Sequence, residues 1–190
     1  MSTSRTAYHH GDLARALEDA AMQLLGRMPA AEISLREVAR VANVSHNAPY
    51  HHFADRLGLL KALAERSMAD LLADVRAGIA AASDAREKLL AGGTAYVRFA
   101  VEHPHAFDAV YDPTVCVPGS PTAAMAPLID GLETALADAA ADAGLDRPDD
   151  VVALWALMHG LGTLAAAGHF DLDAALAALA SSLDRLLASA

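Results

Sequence analysis

A short segment of the 190-residue chain concentrates polar and basic side chains. Its members are His46, Asn47, Tyr50, His51 and Arg56. Asparagine can form two hydrogen bonds with adenine, and histidine can donate to N7 or O6 of guanine. Tyrosine and arginine commonly contact phosphate oxygens. These residue types at this spacing predict contact with nucleic acid.

Two short helices joined by a tight turn would position this segment. Ser34 and Glu37 form the pattern of a capping box, which predicts the start of a helix at Ser34. Asn43 follows that helix and tolerates the left-handed conformation that a tight turn needs. Ser45 is a natural N-cap for a further helix, and Phe53 at its end is a candidate core anchor. The spacing therefore predicts a helix-turn-helix.

The chain around this pair is predicted to be all-α, with about nine helices. A helix over residues 10–26 precedes the pair, and a long helix capped by Asp55 follows it. Further helices are predicted over about residues 85–103, 104–111, 122–143, 149–167 and 171–187, with Asp149 or Asp150 and then Asp171 as caps of the last two. Residues 1–8 resemble an arm that carries Arg5. The predicted domains are 1–54, an arm with a three-helix DNA-binding unit, and 55–190, a helical unit to which the resemblance given below assigns regulation, ligand binding and dimerisation.

The charge distribution favours the same division. The net charge is −10, yet residues 1–70 hold eight basic and eight acidic residues, so the excess acid lies in residues 71–190. A neutral N-terminal part can approach phosphate. One cysteine, Cys116, excludes an internal disulfide, and the first residues contain no apolar signal core, so a cytoplasmic protein without a membrane segment is expected.

Two observations from the residues alone leave alternatives open. A plain corner between two helices of a bundle would show the same cap and turn. Pro49 also lacks the N–H that a regular helix needs at that position, so the opening turn of the third helix must be distorted.

The segment nevertheless resembles the DNA-binding domain of the tetracycline-repressor (TetR) family over about residues 9–70. The resemblance rests on the Ser34-capped helix, on the Tyr-x-His-Phe run that ends at Phe53, and on a basic residue three positions later. The family usually has glycine where this chain has Asn43 and lysine where it has Arg56, and a proline before the tyrosine recurs in one branch. The residues that this resemblance assigns to DNA are Ser34, Arg36, Ser45, His46, Asn47, Ala48, Tyr50, His51 and Arg56.

The run from Trp155 to Gly160 resembles the Trp-x-x-x-His-Gly signature of one class of regulatory domain in that family. In that class the last two helices pair with those of a second subunit, although small residues filling a single core would look the same. The family resemblance implies a pocket for a small effector, expected to be apolar. Its predicted lining is Tyr96, Phe99, His103, Phe107, Tyr111, Met125, Trp155, Met158 and His159.

Other chemistry is weakly indicated. His103 and His105 do not share a helix face in the manner of zinc ligands, and no cofactor is predicted. No phosphate loop or nucleophile elbow is present, so no enzyme is predicted. The predicted function is a homodimeric repressor that leaves a palindromic operator on binding its ligand. The alternative is a helical enzyme, or a ligand-binding or interaction module that does not bind DNA.

Overall fold

The computed structural model describes residues 10–188, and over that range the protein is all-helical, as predicted. No strand occurs within this range. Two 3₁₀ helices, Ala30–Glu32 and Ala48–His51, accompany eight α-helices. The α-helices are α1 (His10–Leu25), α2 (Leu35–Val41), α3 (Arg56–Ala81), α4 (Ala85–Glu102), α5 (Pro104–Tyr111), α6 (Ala126–Asp142), α7 (Pro148–Ala166) and α8 (Leu172–Ala188). The predicted arm at residues 1–8 lies outside the described residues.

The turn between the two short N-terminal helices has the predicted local chemistry. The Ser34 hydroxyl accepts the backbone N–H of Glu37 at 3.3 Å, and the Glu37 carboxylate accepts the Ser34 N–H at 3.2 Å. This reciprocal cap starts α2. Asn43 has φ of 53°, the left-handed conformation expected of it. Phe53 is buried in the hydrophobic core together with residues of α1 and α2, so the anchor prediction is confirmed.

The third helix is not the predicted α-helix. A turn at residues 46–47 leads into the 3₁₀ helix Ala48–His51, and Ser45 caps no α-helix. Pro49 has no N–H to donate to the Ser45 carbonyl, which accepts the N–H of Ala48 at 2.9 Å instead. Because the Ala48 N–H takes the place of the missing Pro49 N–H, the segment forms i→i+3 hydrogen bonds and a 3₁₀ helix. The replacement of one predicted α-helix by this 3₁₀ helix explains why eight α-helices are present where about nine were expected.

The long helix α3 connects the N-terminal unit to the rest of the fold. Asp55 caps it as predicted, accepting the Gly58 N–H at 2.8 Å. It packs against α1 at one end and against α4, α5 and α6 along its length, while α4 also packs against α7 and α8. One continuous hydrophobic core runs through these contacts. The division of the chain at residue 54 therefore stays a prediction.

The ends of the C-terminal helices differ partly from expectation. Helix α7 begins at Pro148, so neither Asp149 nor Asp150 is its N-cap. Proline is favoured at a first helical position because the N–H it lacks has no partner there. The Asp150 carboxylate accepts the Arg147 backbone N–H at 3.3 Å, which closes the first turn from inside. Asp171 does cap α8, accepting the Ala174 N–H at 2.7 Å.

None of the helices within residues 10–188 has the length and apolar character required to cross a bilayer.

Candidate functional sites

Residues 45–52, called the recognition segment below, present polar side chains on a rigidly anchored turn. Pro49 is buried, and the Phe53 N–H donates to the Pro49 carbonyl at 2.8 Å. The outward side chains make no hydrogen bond with another described residue, so their donors and acceptors are available to a partner. They are His46, Asn47, Tyr50 and His51. Ser45 accepts the Asn47 N–H at 3.3 Å, and Ala48 is half-buried.

Two further predicted DNA-binding residues are already engaged within the protein. The Ser34 hydroxyl donates to the Glu37 carboxylate at 2.8 Å and accepts its N–H, so it is committed to the helix cap. The Arg56 guanidinium donates to the carbonyls of Ala30, Ala31 and Ile33 at 3.3, 2.6 and 3.3 Å. Those bonds use Nε and Nη2, which leaves the two Nη1 hydrogens for a phosphate. Arg56 thus joins the start of α3 to the segment before α2.

Two further cations flank the recognition segment on α2. Arg36, which was predicted, and Arg40, which was not, are both exposed. Their spacing of four residues places them on the same helix face, a signal that was present in the sequence. His52, the last residue of the segment, contacts α1 instead, with Nε2 3.1 Å from the Glu18 carboxylate. The exposed face therefore combines cations on α2 with hydrogen-bonding groups on the recognition segment.

A second candidate site is a cavity of about 710 Å³ inside the C-terminal bundle. Residues of α3, α4, α5, α6 and α7 and of the loop before α6 enclose it. Four of the nine predicted ligand residues line it, namely Tyr111, Met125, Trp155 and Met158. Phe99 and His103 instead line a separate cavity of about 470 Å³ between α1, α3 and the start of α5. Tyr96, Phe107 and His159 line neither of these two cavities.

A polar cluster centred on Tyr96 lies directly behind the larger cavity. The fully buried Tyr96 hydroxyl is 2.6 Å from the Tyr111 hydroxyl and 3.1 Å from His159 Nδ1, and it accepts the Trp155 Nε1–H at 3.3 Å. Burial raises the pKa of both tyrosines and lowers the pKa of His159. The cluster is therefore neutral and connects α4, α5 and α7. Tyr96 and His159 are 63 positions apart in the sequence.

Cys116 and the histidines near Pro104 do not assemble into a reactive centre. Burial raises the pKa of the Cys116 thiol, with Glu65 and Asp112 adding to the rise, so the nucleophilic thiolate is disfavoured. Within the part of the chain that the structure describes, no three His, Cys, Asp or Glu side chains come together as metal ligands do. Cys116 instead lines the cavity.

Comparison with known proteins identifies the two halves of the chain. Residues 17–63 match the model of the family described as bacterial regulatory proteins, tetR family, and residues 89–189 match the tetracyclin repressor-like C-terminal domain. The chain belongs to the TetR family. It is accordingly a DNA-binding transcriptional regulator with a helix-turn-helix, and not an enzyme.

Solved structures agree with this assignment to the TetR family. A protein of unknown function from Rhodococcus sp. RHA1 is 30% identical, with a TM-score of 0.79 over 95% of this chain and 97% of that one. A putative TetR-family transcriptional regulator from Rhodococcus sp. is 22% identical, with a TM-score of 0.70 over 93% and 99%. A tetR-family regulator from Streptomyces coelicolor is 19% identical, with a TM-score of 0.68 over 94% and 83%, and shares the fold. No curated protein matches the chain.

The outer surface of α7 in this TetR-family chain is partly apolar. Leu164 is 44% exposed there, whereas the exposed Val152 and Trp155 belong to the cavity wall. A side chain added at Gly160 would meet no atom within 4 Å, whereas one at Gly162 would lie 2.8 Å from Ala100. The two glycines therefore do different things: Gly162 admits α4, and Gly160 leaves the outer face of α7 flat. The assignment to the Trp-x-x-x-His-Gly class stays a prediction.

Proposed function

We propose that this regulator is a homodimeric repressor that releases a palindromic operator when a small, largely apolar ligand enters the 710 Å³ cavity. One observation carries the proposal. Met68, in the wall of the cavity, belongs to α3, the same helix whose first residue, Arg56, holds the segment before α2, the helix that packs against the recognition segment. At about 1.5 Å per residue this 26-residue helix is roughly 39 Å long.

The recognition segment supplies the operator contacts in this proposal. His46 and Asn47 face base edges, and Tyr50 and His51 face phosphates or flanking bases. Arg36, Arg40 and the free Nη1 group of Arg56 neutralise backbone charge. A helix that is packed along its length transmits a displacement at Met68 to its N-terminus, because a close-packed core resists local compression.

A second copy of the chain is proposed to cover the outer face of α7 and α8. Exposed Leu164 and the open surface at Gly160 of α7 permit close helix contact, and Ala174, Ala177 and Ala178 of α8 are small and exposed. Two recognition segments would then lie about 34–36 Å apart, one turn of B-DNA. Ligand binding that favours a different separation shifts the population away from the DNA-bound state.

The DNA face can be tested by mobility shift and by fluorescence anisotropy on fragments of the protein's own promoter region. Arg36→Ala should weaken binding, and the slope of log affinity against log salt should become shallower by about 0.9 for each phosphate that is no longer neutralised. The control is Arg86→Ala, which removes the same charge from an exposed position at the start of α4, where Arg86 pairs with Asp184 at 2.6 Å. Equal effects of the two substitutions would refute the assignment of the α2 face.

Recognition of bases needs a different comparison. Asn47→Ala should lower affinity for the selected fragment by about 1–3 kcal/mol and affect unrelated DNA far less. A uniform decrease on both DNAs would instead identify Asn47 as a ligand of the DNA backbone. Failure of the wild-type protein to prefer any promoter fragment at about 150 mM salt would overturn the operator proposal.

The dimer is tested by sedimentation velocity. Leu164→Glu should give monomers at micromolar concentration, since it places a charge in the proposed interface, whereas Leu57→Glu changes a similarly exposed leucine at the start of α3 and should not. A wild-type chain that sediments as a monomer throughout this range would contradict the half-site argument.

A further inference from the structure

The charge of the 710 Å³ cavity is one-sided. Among the described residues that line it, only Glu133 on α6 is charged, and the remaining walls are apolar or neutral. Glu133 is exposed at the edge of the cavity and forms no hydrogen bond or ion pair with another described residue. A carboxylate without a partner beside an apolar cavity attracts a positive group on a ligand and repels a negative one.

Aromatic side chains extend the same preference into the cavity. Tyr111 and Trp155 both line it, and their rings can contact a cation through their faces, tryptophan most favourably. Burial raises the pKa of Tyr111, and the nearby Glu133 carboxylate adds to that rise, which places the carboxylate and the ring in one electrostatic environment. A neutral tyrosine therefore remains beside the negative group.

Other acidic residues near the cavity add to its negative charge. Glu65 and Asp112 lie near Cys116 on the cavity wall, against one cation, Lys61. Residues 71–190 together carry the whole excess of −10. An anionic ligand would have to enter this field without a basic side chain from the lining, since the described lining contains none.

We propose that the cavity selects apolar cations, such as lipophilic amines or onium ions, over neutral or anionic molecules of the same shape. This proposal rests on the proposed function in so far as the cavity is the effector site. The positive group lies between Glu133 and the faces of Tyr111 and Trp155, and the apolar body fills the space lined by Met125 and Met158.

An isosteric pair of ions provides the test. Tetraphenylphosphonium and tetraphenylborate have nearly the same size and shape and opposite charge. Trp155 is the single tryptophan of the chain and lines the cavity, so its fluorescence reports binding directly. The full-length protein is titrated with each ion, and isothermal calorimetry provides independent affinities.

Tetraphenylphosphonium is expected to bind at least about fivefold more tightly than tetraphenylborate, the effect of one solvent-accessible charge pair. Glu133→Gln should remove about this factor, because the loss of the carboxylate charge weakens binding of the cation and relieves the repulsion of the anion. The control is Asp138→Asn, the same change of charge at an exposed residue of α6 that does not line the cavity, and it should leave both affinities unchanged.

Three results would overturn the proposal. They are equal or tighter binding of the borate, an equal decrease of the affinity for the cation in Glu133→Gln and Asp138→Asn, and no fluorescence or calorimetric response to either ion. DNA binding by the same samples without added ion separates this failure from failure of the proposed function. If the protein binds its promoter fragment but binds the two ions equally or prefers the borate, only the proposal of cation selectivity is refuted. A protein that binds the cation selectively but no promoter fragment fails only as an operator-binding repressor.

Discussion

Two glycines of α7 allow a matched test of how closely α4 and α7 pack. Gly160→Ala and Gly162→Ala add the same methyl group to the same helix, two residues apart. At Gly162 the added carbon would lie 2.8 Å from the Cβ of Ala100, which is fully buried on α4. At Gly160 it would meet nothing within 4 Å. The pair therefore differs in packing and hardly at all in local backbone.

The magnitude follows from two opposing effects. Alanine is favoured over glycine in a helix interior by about 1 kcal/mol, and both variants gain this. At Gly162 the Ala100 methyl has no other rotamer to adopt, so the helices must separate, and overpacking of this kind costs about 1–3 kcal/mol. We expect Gly160→Ala to be up to about 1 kcal/mol more stable than the wild type. Gly162→Ala should be about 1–3 kcal/mol less stable than Gly160→Ala.

The measurement is urea-induced unfolding followed by circular dichroism at several protein concentrations. The concentration series matters because self-association adds to apparent stability. If Gly162→Ala unfolds at the same urea concentration as Gly160→Ala, or at a higher one, the contact between α4 and α7 does not have the described geometry. A decrease in the stability of Gly160→Ala that appears only at high concentration would instead indicate close packing in the dimer.

Three further predictions concern the cap, the tyrosine cluster and pH. Ser34→Ala should cost about 1 kcal/mol of stability, seen as a lower thermal midpoint, and Ser120→Ala in the exposed loop should not; an unchanged midpoint would contradict the cap. Tyr96→Phe should cost about 1–3 kcal/mol because it removes a fully buried hydroxyl that pairs with Tyr111, Trp155 and His159, whereas exposed Tyr50→Phe should stay within about 0.5 kcal/mol; equal effects would refute the cluster. Burial lowers the pKa of His159 below 6.5, so the unfolded state binds more protons there, and the free energy of unfolding should fall as pH decreases through this region. His159→Gln should remove that part of the pH dependence, and a wild-type slope in the variant would exclude His159 as its source.

Local chemistry was the predictable part of the fold. The Ser34 cap, the left-handed Asn43 and the Asp55 cap each depend on residues within four positions of one another, and all three predictions were confirmed. Pro49 was the informative failure. The missing N–H of Pro49 predicted a distorted α-helix. In the structure the Ser45 carbonyl accepts the Ala48 N–H, and the segment forms a 3₁₀ helix instead.

The candidate sites were less predictable because they depend on distant parts of the chain. Tyr96, Tyr111 and His159 meet only when α4, α5 and α7 pack together, and no pattern in the sequence distinguishes a residue behind the cavity from one in its wall. Tyr96 was predicted as lining and lies behind the cavity, whereas Glu133 was not predicted and lies at its edge. Arg56 was predicted as a phosphate ligand, and its bonds to three carbonyls arise from a fold contact that spacing does not reveal.

The two sides of the recognition segment have separate tasks, and this separation affects how the protein can evolve. Pro49 and Phe53 hold the turn from the inside, whereas His46, Asn47, Tyr50 and His51 contribute no side-chain hydrogen bond on which the described fold depends. Substitutions at the outward positions should therefore change stability by less than about 0.5 kcal/mol. After gene duplication, a copy can acquire a new operator through such substitutions while its stability, its cavity and its helix packing remain those of the parent.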